Sequence, residues 1–286
     1  MPQVIDGLSA IAERYDALLC DIWGVIHNGR EAFPGPCAAL ARWRAERGPV
    51  VLISNSPRPA PEVVDQLDAL GVPPETWSAV VTSGDATRLL LAERAPGPVW
   101  KIGPERDAPL YEGLGLVFGA LEDATFIACT GPNDDEVETP EDYRGVLSRA
   151  AERGLEMVCA NPDIVVQRGD RLIYCGGALA ALYETLGGRT ALAGKPHAPI
   201  YELALLEARD RLAGPLDPRR VLAIGDGVVT DVAGAGAQGL DCLFIAAGIH
   251  GADSLGPDGR LDAAAVDGLL AEAGQSAAFS MAELAW

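Results

Sequence analysis

Positive charge is scarce in this chain. Lys and Arg together number 22 against 41 Asp and Glu, which gives a formal net charge of −19 and a pI near 4.4. Nucleic-acid backbones and anionic lipid surfaces attract the opposite sign, so the balance excludes both as partners. Long apolar runs are missing too: none approaches the roughly 18–20 residues that span a bilayer. The N-terminal stretch carries Asp6, Glu13 and Asp16 and no basic segment, so it does not read as a signal peptide. No C-x-x-C spacing occurs among Cys20, Cys37, Cys129, Cys159, Cys175 and Cys242, and His27, His197 and His250 fit no zinc pattern. Several of these cysteines lie in apolar, strand-like runs, where a reduced thiol acts as a small hydrophobe. The expectation is a cytoplasmic protein. Glycine and proline, 33 and 21 of 286 residues, stay under the roughly 25–30% of low-complexity chains.

What is there can bury a core. Hydrophobic residues make up 49% of the chain, and a length of 286 residues suggests about two domains at roughly 150 residues each. Short apolar runs alternate with amphipathic stretches throughout. Ala17 to Cys20 ends at Asp21, Val50 to Ile53 at Ser54, and Val221 to Ile224 at Gly225-Asp226, with Cys242 to Ile245 soon after. Such runs, bounded by Gly or polar residues, read as buried parallel strands. Between them, Cys37–Arg47, Pro59–Leu70 and Pro199–Leu212 read as helices. Thr139-Pro140-Glu141-Asp142 has the N-cap hydroxyl, N1 proline and N3 acid of a helix start. Strand alternating with helix predicts an α/β fold with a parallel sheet.

Ligands in such sheets sit beyond the carboxyl ends of the strands. Three strands deliver a polar residue there: Asp21, Ser54 and Asp226. Asp226 and Asp231, five apart on the Gly-rich segment Gly225 to Asp231, suit a hard cation such as Mg²⁺, which takes oxygen ligands. Gly194-Lys195-Pro196 holds a lysine at a helix entrance.

In combination these segments resemble the haloacid dehalogenase-like (HAD) hydrolase superfamily. Within it they are most similar to subfamily IIA, the NagD- and 4-nitrophenylphosphatase-like phosphatases. Asp21-Ile22-Trp23-Gly24-Val25 with Phe33-Pro34-Gly35 fits the first motif, and Ile53-Ser54-Asn55-Ser56 the second. Thr82-Ser83-Gly84 fits the segment leading into a cap, and Cys159 to Asp163 resembles the cap's N-P-D substrate loop. Gly194-Lys195-Pro196 and Gly225 to Asp231 supply the remaining two motifs. The resemblance implies a doubly wound, Rossmann-like parallel-sheet core from residues 1–84 and 190–286, with an inserted α/β cap over 85–189. It also implies pairing of two copies through the cap.

By the same resemblance, Asp21 attacks phosphorus of a small phosphorylated metabolite and forms an aspartyl-phosphate that water hydrolyses. Mg²⁺ is held by Asp21, the Trp23 carbonyl and Asp226, with Asp231 acting through water. Ser54 hydrogen-bonds a phosphoryl oxygen and Lys195 clamps the phosphoryl group. Asn55, Ser56 and Arg58 follow the second motif as substrate contacts, and Asn161 and Asp163 read the substrate from the cap.

Trp23 departs from the pattern. Phosphatases of this superfamily carry a second Asp there, which protonates the leaving oxygen and deprotonates water. An indole N–H does neither, and such help is worth roughly 10²–10⁴-fold. His27 is a candidate replacement. The alternatives left open are a phosphatase with an atypical acid or an easily expelled leaving group, cleavage of C–P or C–halogen bonds, and binding of a phosphometabolite without turnover.

Two further strings carry less. Gly234 to Gly239 spells G-x-G-x-x-G but precedes a strand instead of following one, so close helix packing is the better reading than a dinucleotide site. Gly188 to Lys195 misses the P-loop spacing and has Pro196 where a metal-binding hydroxyl belongs.

Overall fold

The computed structural model describes residues 1–168 and 171–286. They form two compact units, one from Met1–Ser54, Val64–Val81 and Tyr201–Trp286, the other from Asn55–Val63 and Thr82–Ile200.

The first unit is built on a seven-stranded sheet. Its order from edge to edge is Gln3–Val4, Phe279–Met281, Asp241–Ile245, Val221–Gly225, Ala17–Asp21, Val50–Ser54 and Ala79–Thr82. The first five of these pairings all run parallel. Every residue of Ala17–Asp21, Val50–Ser54 and Val221–Gly225 is buried, which is why these strands read as unbroken apolar runs: parallel sheets are covered on both faces. The expected strands are thus present, each within a residue of its sequence reading. After Ala17–Asp21 the chain adds Val50–Ser54 on one side and later Val221–Gly225 on the other. The carboxyl ends of these three neighbours therefore flank the point where the winding reverses.

Helix Pro34–Glu46 starts three residues before the sequence reading. Prolines are tolerated in the first turn, where the missing N–H has no intrahelical partner in any case. It buries Leu40 and Trp43 completely. Ala198–Arg211 matches its expectation to a residue. Among the described residues no helix is long and apolar enough to cross a membrane.

The glycine string at 234–239 serves packing, though against a helix side chain and at one position. A Cβ on Gly234 would fall 2.3 Å from Tyr201 Oη, whereas one on Gly236 would meet nothing within 4 Å. Gly234→Ala should therefore cost about 1–3 kcal/mol in denaturant unfolding. Gly236→Ala, inside helix Ala233–Ala237, should leave stability unchanged or raise it by up to about 1 kcal/mol.

The second unit has its own four-stranded parallel sheet, ordered Arg189–Leu192, Glu156–Cys159, Phe126–Cys129 and Val99–Ile102. Helices Arg144–Glu152 and Gly176–Thr185 contribute Leu147, Leu179 and Tyr183 to a core that includes Ile127 and Met157. Leu91, Leu110 and Phe126 belong to a second core cluster. The expected cap at Thr139 forms: the Asp142 carboxylate accepts both its N–H (2.8 Å) and its hydroxyl (2.9 Å). Val165–Arg168 and Arg171–Tyr174 pair as an antiparallel ribbon.

Candidate active site

In the first unit the sheet brings Asp21, Asp226 and Asp231 together. One ligand oxygen from each lies within 4.8 Å of the others, and all three residues are buried. Asp21 closes its strand. Asp226 follows the strand Val221–Gly225, and Asp231 lies on the helical turn Val228–Val232. Small residues make the convergence possible. A Cβ on Gly24, whose φ of +82° already favours glycine, would sit 2.1 Å from Asp226 Oδ2, and one on Gly248 would sit 1.9 Å from it. A Cβ on Gly225 would fall 2.1 Å from Asp231 Cγ.

Backbone donors orient two of the carboxylates. The Ile249 N–H donates to Asp226 Oδ2 (2.7 Å) and the Gly227 N–H to Asp231 Oδ2 (3.0 Å). Like charges this close repel by about 3–4 kcal/mol per pair at an effective dielectric near 20. A buried trio of oxygen donors with glycine-cleared space around it fits a divalent cation, which reverses the sign of that term. Ser54, also buried, ends the strand beside that of Asp21.

Trp23 sits two residues beyond Asp21, on the turn leaving the strand. Its ring meets His27 edge-on at 4.9 Å. Gly29, with φ +84°, leaves room for it: a Cβ there would lie 2.5 Å from Trp23 Cζ2. His27 does not have the character of a proton donor. It is 1% exposed, its Nδ1 accepts the Gly29 N–H (3.0 Å), and burial lowers its pKa to about 4. The imidazole is thus neutral, accepting at Nδ1 with its proton on Nε2, and it braces the turn. Val229, on the segment between Asp226 and Asp231, and Ile249 both expose apolar side chains.

In the second unit Asn55 ties together Asp163 and Lys195. Its Nδ2 donates to Asp163 Oδ1 (2.7 Å) and to the Lys195 carbonyl (3.1 Å), while its Oδ1 accepts the Lys195 N–H (2.7 Å). Both amide hydrogens are therefore committed within the protein. Asn55, which sequence reading places among the substrate contacts, fixes the backbone of Lys195, which is itself buried. Asn161 Oδ1 accepts the Asp163 N–H (3.1 Å), so Asn161-Pro162-Asp163 is a side-chain-closed turn. That turn lies close on the start of helix Gly176–Thr185, where a Cβ on Gly177 would meet the Pro162 carbonyl at 2.1 Å. Ser56 Oγ accepts the Arg58 N–H (3.2 Å).

Arg58 is partly buried, and that burial lowers its pKa, with Asp107 the largest opposing influence. Asp107 is 4% exposed, and burial pushes its carboxyl above the ordinary range against the pull of Arg106 and Arg58. A raised folded-state pKa costs stability once pH passes the unfolded value, and costs nothing below it. Asp107→Asn should therefore raise the melting temperature at pH 7, and the gain should vanish as pH falls to about 3, checked by thermal melts across pH.

Sequence reading missed the parts that hold Asp226: Gly24, Gly248 and the Ile249 N–H. The available signal was the small-residue run Ala246-Ala247-Gly248 directly after a strand. Asp107 had none, since its environment is assembled from distant segments.

Known proteins share this arrangement of chain and fold. The sequence profile of the haloacid dehalogenase-like hydrolases matches residues 18–117, and a HAD-hydrolase-like profile matches residues 192–271. A crystal structure of a haloacid dehalogenase-like family hydrolase from Brucella suis 1330 is 48% identical, covers 98% of this chain and 100% of its own, and has a TM-score of 0.88. The glycerol phosphate phosphatase of Mycobacterium tuberculosis, solved in complex with magnesium, is 28% identical over 84% of this chain and 70% of its own, with a TM-score of 0.63. The 5'-nucleotidase YutF of Bacillus subtilis (strain 168) is 26% identical over 89% of this chain and 96% of its own. This chain belongs to the haloacid dehalogenase-like hydrolases, and it shares the fold of NagD and of p-nitrophenyl phosphatase.

Proposed function

We propose that this hydrolase is a Mg²⁺-dependent phosphatase of small phosphorylated metabolites, with Asp21 as the nucleophile. The observation that carries the reading is the buried trio Asp21, Asp226 and Asp231 at the carboxyl ends of neighbouring strands. Phosphatase relatives, one of them solved with magnesium, support it. The cation would be held by the Asp21 carboxylate, the Trp23 carbonyl and Asp226, with Asp231 in support. When bound, it neutralises charge between an anionic nucleophile and an anionic ester.

The chain's own residues supply the rest. Asp21 attacks phosphorus as the ester oxygen departs, and water then releases phosphate from the acyl phosphate. Ser54 hydrogen-bonds a phosphoryl oxygen. Lys195, its backbone fixed by Asn55, brings positive charge to the phosphoryl group. That charge matters in a chain of net charge −19, whose overall field repels phosphate esters. Residues 1–84 with 190–286 form the catalytic core in this reading, and 85–189 form the cap. Asn161 and Asp163 on the cap, with Ser56 and Arg58, select the substrate, and Arg58 suits a second anionic group.

The test is a phosphate-release screen over sugar phosphates, nucleotides, pyridoxal phosphate and p-nitrophenyl phosphate, in Mg²⁺ and in chelator. Release from at least one ester that disappears in chelator is the expected result. Tight Mg²⁺-dependent binding of an ester without release would replace this reading with that of a binding protein.

A further inference from the structure

We infer that Asn55 is a positioning residue that relays the state of the Asn161-Pro162-Asp163 turn to the backbone of Lys195. The turn that selects the substrate then also sets the lysine that serves the phosphoryl group. The roles of turn and lysine rest on the phosphatase reading above, and the relay between them on hydrogen bonds and packing.

Asn55 is buried and grips Lys195 at both of its main-chain groups, accepting the N–H (2.7 Å) and donating to the carbonyl (3.1 Å). Turning that residue breaks both bonds together. The same Nδ2 donates to Asp163 Oδ1 at 2.7 Å. A carboxylate acceptor makes such a bond roughly twice as strong as a neutral one. If Asp163 withdraws, a buried amide hydrogen loses its acceptor, and the amide that holds Lys195 must reorient or carry the cost.

Glycines bring the same segments into backbone contact. A Cβ on Gly194 would fall 2.6 Å from Asn55 Oδ1 and 2.8 Å from Pro162 Cγ, so the residue before Lys195 lies against both the amide and the turn. The Gly177 N–H donates to the Asp163 carbonyl (3.1 Å), which seats the turn on helix Gly176–Thr185. The Gly84 N–H donates to the Ser56 carbonyl (3.0 Å), and a Cβ there would lie 2.3 Å from the Pro57 carbonyl oxygen. Helix Ser83–Ala92 thus seats the segment that carries Asn55. Contacts this close leave little slack to absorb a shift. A misplacement of about 1 Å can cost on the order of 10²-fold in rate, so a turn that need not touch phosphorus contributes to kcat through Asn55.

Lys101 and Lys195 are the only lysines of the chain. Labelling the full chain with [15N]lysine therefore gives two main-chain amide signals, which Lys101→Arg assigns. Lys101 lies in strand Val99–Ile102 of the same unit and serves as the internal reference. Hydrogen exchange at the Lys195 amide, bonded to Asn55 Oδ1, reads the relay without turnover. Asp163 is half-buried, so its replacement leaves the core intact. Asp163→Ala should speed exchange at Lys195 by about 10-fold or more, with Lys101 unmoved. Asp163→Asn keeps an oxygen that can accept from Asn55 and should speed it less. In an Asn55→Ala background, Asp163→Ala should add no more than about 2-fold. Phosphate-release kinetics in Mg²⁺ should follow, with kcat about 10-fold or more lower in Asp163→Ala and little lower again when Asn55→Ala is combined with it.

Three results would overturn the relay whatever the activity: exchange at Lys195 unmoved by Asp163→Ala, equal acceleration by Asp163→Ala and Asp163→Asn, or an effect of Asp163→Ala that persists undiminished in the Asn55→Ala background. Faster exchange with unchanged kcat would overturn its part in turnover. Coupled exchange in a protein that releases phosphate from no ester would uphold the relay and remove the phosphatase reading.

Discussion

Asp21→Asn is expected to lower phosphate release by at least about 10³-fold, because in the proposed mechanism Asp21 forms an acyl phosphate, which an amide cannot. The substitution preserves shape. Asp21 closes a wholly buried strand paired on both sides, and Asn occupies the same volume. The variant should remain folded and retain ester binding through groups that do not touch the nucleophile. A circular-dichroism melt close to wild type, measured beside the lost turnover, separates a chemical defect from a structural one. Activity within about 10-fold of wild type would remove Asp21 from the role of nucleophile.

Asp226→Asn should act in opposite directions with and without metal. In metal-free protein it removes one of three mutually repelling buried carboxylates, while an amide oxygen can still accept the Ile249 N–H. The melting temperature of the metal-free variant should therefore rise, by a stabilisation of about 1 kcal/mol or more. Residues that merely support metal ligands contribute about 10–100-fold to affinity, so loss of Asp226, a direct ligand in the proposed function, should weaken Mg²⁺ binding by at least about 100-fold. The stabilisation that Mg²⁺ confers by mass action should shrink accordingly. Melts in chelator and in Mg²⁺ read both effects. A metal-free variant less stable than wild type, with an unchanged Mg²⁺ response, would mean that the trio does not serve a cation.

How much of this was legible depended on how local the determinants are. The strands ending at Asp21, Ser54 and Asp226 could be read because a strand covered on both faces is an unbroken apolar run. Their convergence followed from the topology of open α/β sheets. The cap at Thr139 was equally local, its partner three residues away. The opening of helix Pro34–Glu46 was misjudged, because prolines that end a helix inside its body are harmless in its first turn.

Asn55 illustrates what sequence could not supply. Its position after Ser54 gives no sign that its amide binds Asp163 and Lys195, residues 108 and 140 positions away. Gly24 and Gly248 look like ordinary loop glycines until the backbone shows that Asp226 fills the space a side chain would need. His27 was a plausible acid by proximity in sequence, and only its burial and its bond to Gly29 reveal a neutral brace. In each case the missing information was a long-range partner or the solvent exposure of a group. Neither has a signature in residue spacing.

The most direct test of Asp21 as a nucleophile at phosphorus is a single turnover of p-nitrophenyl phosphate in oxygen-18 water. Phosphate and the Asp21 peptide are both analysed by mass spectrometry. Attack at phosphorus followed by hydrolysis of the acyl phosphate predicts heavy oxygen in the released phosphate, none in the Asp21 carboxylate, and a phosphorylated Asp21 peptide at early quench times. Heavy oxygen in the Asp21 carboxylate, or phosphate release without any phosphorylated Asp21, would contradict the account.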